Sequence, residues 1–266
     1  MIEVLEIGVR KLMVSRKRSA DQDPSLPTVV YLGGLLADQL TDDKESRAFS
    51  LEQEASLLGY QFVRFNFTAH GNLPETRSSG EFSDITITRM IHDAISVLEY
   101  YDLTSVAWVG SSIGAGLLPF LAAQVTQQQG VTNEGFFTIS GMPPKALAGF
   151  IDMQMNDEQR ASLRAGQSVT IESPTLPVPV KVSPEQISDV EKYDYASAST
   201  CPTNGPTVGI AGLQDSVSTV EQNRMLLKAL SGSDQGLQVF DAPHDIPDEF
   251  MNPAFRDWLG SIKLRH

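Results

Sequence analysis

Apolar and polar positions follow two alternating periods along this chain, and the switches between them outline its architecture. Residues 2–18 carry a broken alternation, Val4, Leu5, Ile7 and Val9 and then Leu12, Met13 and Val14, which predicts an antiparallel hairpin turning near Arg10-Lys11. Thr28–Leu32 is a short β-branched apolar run, as expected of a buried strand. A helix is predicted from about Lys44 to Leu58, closed by Gly59, because glycine accepts the left-handed conformation that ends helices. Tyr60–Phe67 predicts a further strand, and a loop with glycine, serine and proline spans 68–83. From about Asp84 to Tyr101, Ile87, Ile91, Ala94, Ile95 and Leu98 recur at helical spacing. Val106–Val109 is another apolar strand run, and an Ala- and Leu-rich helix follows from near Ile113, with Pro119 expected to kink it.

After a strand at Gly135–Ser140 the rhythm changes. Asn156-Asp157-Glu158-Gln159 and Ser183-Pro184-Glu185-Gln186 both set glutamine three residues after a capping side chain, the signal of a helix start. Val169–Ile171 and Val178–Val182 predict a hairpin around Pro174, kept from any sheet centre by its prolines. The strand–helix pattern resumes with Thr207–Gly212, a helix near Val217–Leu230, a strand at Leu237–Phe240 and a terminal helix holding Phe255, Trp258, Leu259 and Ile262. Strands alternating with helices predict an α/β fold with a doubly wound, mostly parallel sheet. Residues 144–200 are then an insertion, read as a lid, between core parts 1–143 and 201–266.

Composition narrows the function more than the fold. Of 266 residues, 41% are hydrophobic and 20% charged, as in soluble globular proteins, and the net charge of −13 argues against nucleic acid or an anionic membrane as partner. The chain shows no run of 18 apolar residues and no positive, then apolar, leader pattern, so an integral membrane role is not expected and a cytoplasmic location is. One cysteine, Cys201, excludes an intrachain disulfide and reads as an incidental thiol. No His/Cys cluster and no glycine-rich phosphate loop with its lysine appears, so no metal or nucleotide cofactor is expected.

The chemistry concentrates at Gly110-Ser111-Ser112-Ile113-Gly114. A Gly-x-Ser-x-Gly pattern between a strand and a helix predicts a sharp elbow that presents Ser112 at the helix N-terminus. A serine hydroxyl needs a base to take its proton and a carboxylate to orient that base. Among the four histidines, His244 follows the last strand, where it can reach over the strand ends. His92 falls in an amphipathic helix, His70 is placed to line the site without being the base, and His266 is terminal. Asp215, in the loop after Thr207–Gly212, precedes His244 in the order Ser, Asp, His. Asp241 and Asp234 compete with it. Asp241 is too near His244 in sequence, and Asp234 lies in the Ser231–Gly236 turn. Two backbone donors for a developing oxyanion are expected from the N–H groups of Ile113 and of Leu35, the latter beyond Gly33-Gly34.

These residues resemble the α/β-hydrolase superfamily over nearly the whole chain. Within it, the chain is most similar to small serine hydrolases that include mitochondrial acyl-protein thioesterases and their bacterial relatives. The likeness runs through Tyr31-Leu32-Gly33-Gly34-Leu35-Leu36-Ala37-Asp38, Arg64-Phe65-Asn66-Phe67-Thr68-Ala69-His70-Gly71, the elbow, and Gly212-Leu213-Gln214-Asp215-Ser216-Val217. It departs at Gly33, where a proline is common, at Asn66, where an aspartate is usual, and at Gly114-Ala115-Gly116, where Gly-Gly-Trp is usual. The resemblance implies an α/β-hydrolase fold with an inserted lid, and a cofactor-free Ser112–Asp215–His244 triad acting on a small-molecule or acylated ester or thioester. An acyltransferase on the same triad and a non-catalytic binding protein are the alternatives. Phe150, Ile151, Met153 and Met155 in the insertion suit either a hydrophobic acyl group or packing of the lid onto the core.

Overall fold

A computed structural model describes residues 1–19, 23–42, 46–172, 179–198 and 203–265. Its centre is an eight-stranded sheet in the order β1-β2-β4-β3-β5-β6-β9-β10. β1 (Ile2–Ile7) and β2 (Arg10–Lys17) form an antiparallel hairpin, and β2 pairs antiparallel with β4 (Phe62–Asn66). From there β3 (Thr28–Leu32), β5 (Ser105–Ser111), β6 (Thr132–Ile139), β9 (Thr207–Gly212) and β10 (Leu237–Phe240) run parallel to β4. The hairpin turns at Gly8-Val9, two residues before the expected place. Gly8 sits at φ 60°, a conformation that costs an arginine or lysine more than a glycine.

The parallel strands are apolar on both faces because helices cover both. Val30, Leu32, Val106, Trp108 and Phe136 face the side of α2 (Ile87–Tyr101) and α3 (Ile113–Gln129), which α7 (Val220–Ser231) extends. Val29, Tyr31, Ala107, Val109 and Phe137 face the side of α1 (Arg47–Leu57) and α8 (Asp248–Lys263). This strict alternation within each strand explains why near-continuous apolar runs read as buried strands. Helix starts fall later than the apolar pattern suggests, because side-chain caps fix them. Thr86 accepts the Arg89 N–H and starts α2 at Ile87, after a single 3-10 turn at 82–84. Thr219 accepts the Gln222 N–H and starts α7 at Val220. α1 begins at Arg47, and the expected start at Lys44 lies outside the described residues. α3 runs on through Pro119.

Between β6 and β9 the chain makes an excursion of α4 (Pro144–Met153), α5 (Asp157–Arg164), a small antiparallel pair β7 (Val169–Ile171) and β8 (Val180–Val182), and α6 (Pro184–Val190). Both anticipated capping boxes are present, on Asn156 and Ser183. The expected turn at Pro174, the start of the second strand at Val178, and Cys201 lie outside the described residues. Leu147, Ile151, Met155, Val182 and Val190 join the same apolar cluster as α2 and α3. α6 is further tied down where the buried Asp189 carboxylate accepts the Thr88 N–H at 2.8 Å and its hydroxyl at 2.6 Å. Met153, by contrast, is 73% exposed, and Phe150 lines the cleft described below.

α8 closes the other face through Trp258, which is buried against Phe137 and Phe255 and donates from Nε1 to the Pro206 carbonyl at 3.0 Å. Trp258→Ala removes that bond and opens a cavity, so it should cost about 3–5 kcal/mol in urea unfolding. A loss below about 1 kcal/mol would mean that α8 is not part of the cooperative core.

Candidate active site

The end of β5 bends sharply into α3 at Ser112, whose backbone takes φ 53° and ψ −123°. This is a conformation that residues with a Cβ rarely adopt, held only where surroundings dictate it. The surroundings do. The Ser112 N–H donates to the Ile139 carbonyl at 2.9 Å, and its carbonyl accepts from Ala115, Gly116 and Met142 at 3.0–3.2 Å. Gly110 and Gly114 are required by space: a Cβ on Gly110 would lie 2.5 Å from Ala115 Cα, and one on Gly114 would lie 2.2 Å from the Leu32 carbonyl oxygen. Strand, turn and helix therefore approach as closely as the motif implies.

Asp215 and His244 are brought to Ser112 by the loops after β9 and β10. Those loops lie against each other, with Leu213 N–H on the Phe240 carbonyl at 2.8 Å and Gln214 N–H on the Ala242 carbonyl at 3.0 Å. His244 Nδ1 lies 2.8 Å from Asp215 Oδ2, and Nε2 lies 3.2 Å from Ser112 Oγ. A carboxylate only accepts, so Nδ1 carries the proton and Nε2 accepts from the serine hydroxyl. The other Asp215 oxygen accepts the N–H groups of Val217 and Ser218, both at 2.8 Å, which fixes the carboxylate plane. Ser140 Oγ donates to the His244 carbonyl at 2.8 Å and steadies the histidine loop. The competitors are elsewhere: Asp241 accepts from Gln214 Nε2, and Asp234 pairs with Lys228.

Ser112 and His244 open onto a cleft of about 1240 Å³. Gly34 packs against Ser112, where an added Cβ would stand 3.4 Å from the serine Cβ, and Leu35 lines the cleft just beyond it. Ile113 is buried at the first position of α3, so its N–H belongs to the unsatisfied first turn of the helix. The segment carrying Leu35 is anchored by residues to which sequence reasoning gave no role in holding it. Arg64, buried in β4, donates to the Gln39 and Thr41 carbonyls at 2.9 Å, to Glu52 at 2.8 Å and to Asp42. Asn66 accepts the Gln39 N–H at 2.8 Å and donates to Asp38 at 2.9 Å and to the Thr76 carbonyl at 2.8 Å. Burial alone would raise the Asp38 carboxyl pKa, but hydrogen bonds from Thr76, Asn66 and the Asn72 and Leu40 N–H groups outweigh it and hold the group below its ordinary range. The signal was in the sequence: an arginine and an asparagine inside the apolar run Phe62–Phe67 must be paired if that strand is buried.

No family model matches this chain, and no curated protein matches it. Solved structures do. A hydrolase from Agrobacterium vitis S4 superposes with a TM-score of 0.76 at 21% identity, over 99% of this chain and 97% of its own. Est1E from Butyrivibrio proteoclasticus, with ferulic acid bound, gives 0.72 at 12% identity over 98% and 99%. Mouse alpha/beta hydrolase domain-containing protein 10 gives 0.69 at 16% identity over 100% and 98%. The chain has the α/β-hydrolase fold. In this fold's terms the helical excursion enters after β6 and the Ser112 elbow follows β5.

Among the described residues no group of three or more His, Cys, Asp or Glu is arranged to hold a metal ion, and no helix is long and apolar enough to cross a membrane. His266 lies outside the described residues, and His92 is exposed on α2. His70 corrects an expectation. It is buried and is not among the residues lining the cleft, with Nδ1 on the Thr68 carbonyl at 2.8 Å and Nε2 buried without a partner among the described residues. The ring meets the Phe67 ring edge-on, with 5.7 Å between ring centroids. Burial pulls its pKa down to about 4, the Arg77 charge adds to this, and the Thr68 bond opposes it. An unfolded chain therefore takes up a proton near pH 6.5 that the folded protein refuses until about pH 4. Stability from this residue is complete above pH 6.5 and declines as the pH falls through that window. Urea unfolding across pH 4–7 should show a shallower acid-side decline for His70→Gln than for the native chain; identical slopes would mean His70 titrates normally.

Proposed function

We propose that the protein hydrolyses a carboxylic ester or thioester through an acyl-enzyme. The observation that carries this reading is the continuous hydrogen-bonded chain Asp215–His244–Ser112 at a strained elbow facing the cleft. Ser112 Oγ adds to the substrate carbonyl while His244 Nε2 takes its proton, and the imidazolium so formed is held against the Asp215 carboxylate. The tetrahedral oxyanion is received by the N–H groups of Ile113 and Leu35, the first aided by the N-terminus of α3. Collapse expels the alcohol or thiol, which takes the proton from His244. Water then repeats the addition at the acyl-serine and releases the acid, restoring the free serine. Residues 144–200 act as the lid, and Phe150 offers the acyl group an apolar wall. Structural neighbours that carry the words hydrolase and esterase, among them an esterase of Pyrococcus furiosus, support this reaction class.

A panel of p-nitrophenyl esters and acyl thioesters of increasing chain length tests the reading. Ser112→Ala should lower kcat/KM on the best substrate by at least about a thousandfold, with the fold and unfolding midpoint kept. A purified native protein that cleaves no member of the panel, or a Ser112→Ala variant that retains the rate, would refute it.

A further inference from the structure

Beside the serine, the same cleft holds an arginine that the reaction just described does not use. Arg47 is the first residue of α1, and its side chain lines the cleft while only 18% exposed. One guanidinium nitrogen donates to the hydroxyl of Ser111, the residue immediately before Ser112. The buried Tyr31 phenol adjoins both: burial raises its pKa, while the Arg47 charge and hydrogen bonds with Ser111 and Arg47 pull the other way. Arg47 is thus fixed at the floor of the cleft, next to the elbow, by neutral hydroxyls.

Its charge partner is of another kind. Asp245 meets Arg47 Nη2 at 3.3 Å with a side chain 92% exposed. A pair with one partner in water contributes little, because solvent screens the exposed charge far more than the enclosed one. The enclosed guanidinium is therefore only weakly neutralised by Asp245. Ser46 caps α1 from the same cleft wall without a side-chain cap bond, and the first turn of α1 holds no acidic residue, so the helix end adds positive potential there. Asp38, also in the wall, has its carboxylate engaged by four donors, from Leu40, Asn66, Asn72 and Thr76, and Asp248 accepts from Ser50 at 2.8 Å.

We infer that Arg47, with Ser111 and Tyr31, forms an anion subsite, and that the substrate is an ester or thioester carrying a carboxylate close to its scissile carbonyl. The subsite stands on the geometry; its assignment to a substrate rests on the hydrolase reading above. When Asp245 releases Nη2, the guanidinium keeps its Ser111 bond through Nη1 and has free N–H groups to offer a carboxylate. The Arg47 head beside Asp245 and Asp248 suits one negative charge better than the two of a phosphate, and Arg77, the other cation of the lining, is exposed and donates to the Gly71 carbonyl at 3.3 Å. Asp245 is then an internal placeholder, displaced when the substrate carboxylate arrives.

Binding to Ser112→Ala protein, which needs no turnover, tests this separately from the hydrolase reading. Calorimetry would compare phenyl hemisuccinate and phenyl hemiglutarate with their neutral methyl esters at low salt. In Ser112→Ala the anionic member of one pair should bind about tenfold more tightly, and the preference should shrink as salt is raised. Adding Arg47→Gln should abolish the preference, Arg47→Lys should reduce it, and Asp245→Asn should widen it by removing the competitor. Equal binding within both pairs, a preference indifferent to Arg47→Gln and Arg47→Lys, or one weakened by Asp245→Asn would overturn the subsite. The last outcome would make Asp245 and Arg47 a clamp on the His244 loop instead.

Discussion

The backbone of Ser112 is the constraint on which the arrangement depends. A serine at φ 53° and ψ −123° is strained, and it persists because β6 accepts its N–H while α3 and the Met142 N–H donate to its carbonyl. The strain has a geometric purpose: it lifts the side chain off the sheet edge and points it at the loops after β9 and β10. Gly110 and Gly114, lacking a Cβ, let the Leu32 carbonyl and the start of α3 close around that turn. Every other element of the candidate site is measured from this point.

Around it, two kinds of support differ in character. The acid–base side is built from short loops locked by backbone bonds between them, so Asp215 and His244 keep their separation without large side chains. The donor side, by contrast, is a long segment, 33–42, with no regular structure. It is made definite by buried polar side chains, Arg64 and Asn66 from β4, whose donors and acceptors match its carbonyls, N–H groups and Asp38. Buried polar networks of this kind specify one geometry because every unsatisfied member is expensive. Asn66 donates to Asp38 as well as accepting from Gln39, so one β4 side chain fixes two points of the segment.

Much of this was legible from residues alone, and for clear reasons. Strand–helix alternation reports burial on two faces of a parallel sheet, and the elbow motif reports steric demands that only glycine meets. Asp215 and His244 stood out because chain order and strand ends leave few alternatives. What escaped the sequence was long-range polar pairing. Nothing local to Arg47, Arg64 or Asp189 says which carbonyl, hydroxyl or carboxylate they meet across the fold. His70 was misplaced for the same reason: a histidine after a strand end can turn toward the cleft or toward the core, and here it is buried against Phe67 with its Nδ1 on the Thr68 carbonyl. Helix starts shifted because threonine caps, not apolar periodicity, set them.

The central claim is that the elbow and His244 together make Ser112 a nucleophile. Reaction with a fluorophosphonate, read by mass spectrometry of the digested protein, tests it without any assumption about substrate. The account predicts one adduct, on the peptide containing Ser112, absent in Ser112→Ala and strongly slowed in His244→Ala. A folded native protein that forms no adduct, or forms one at another residue, would contradict it.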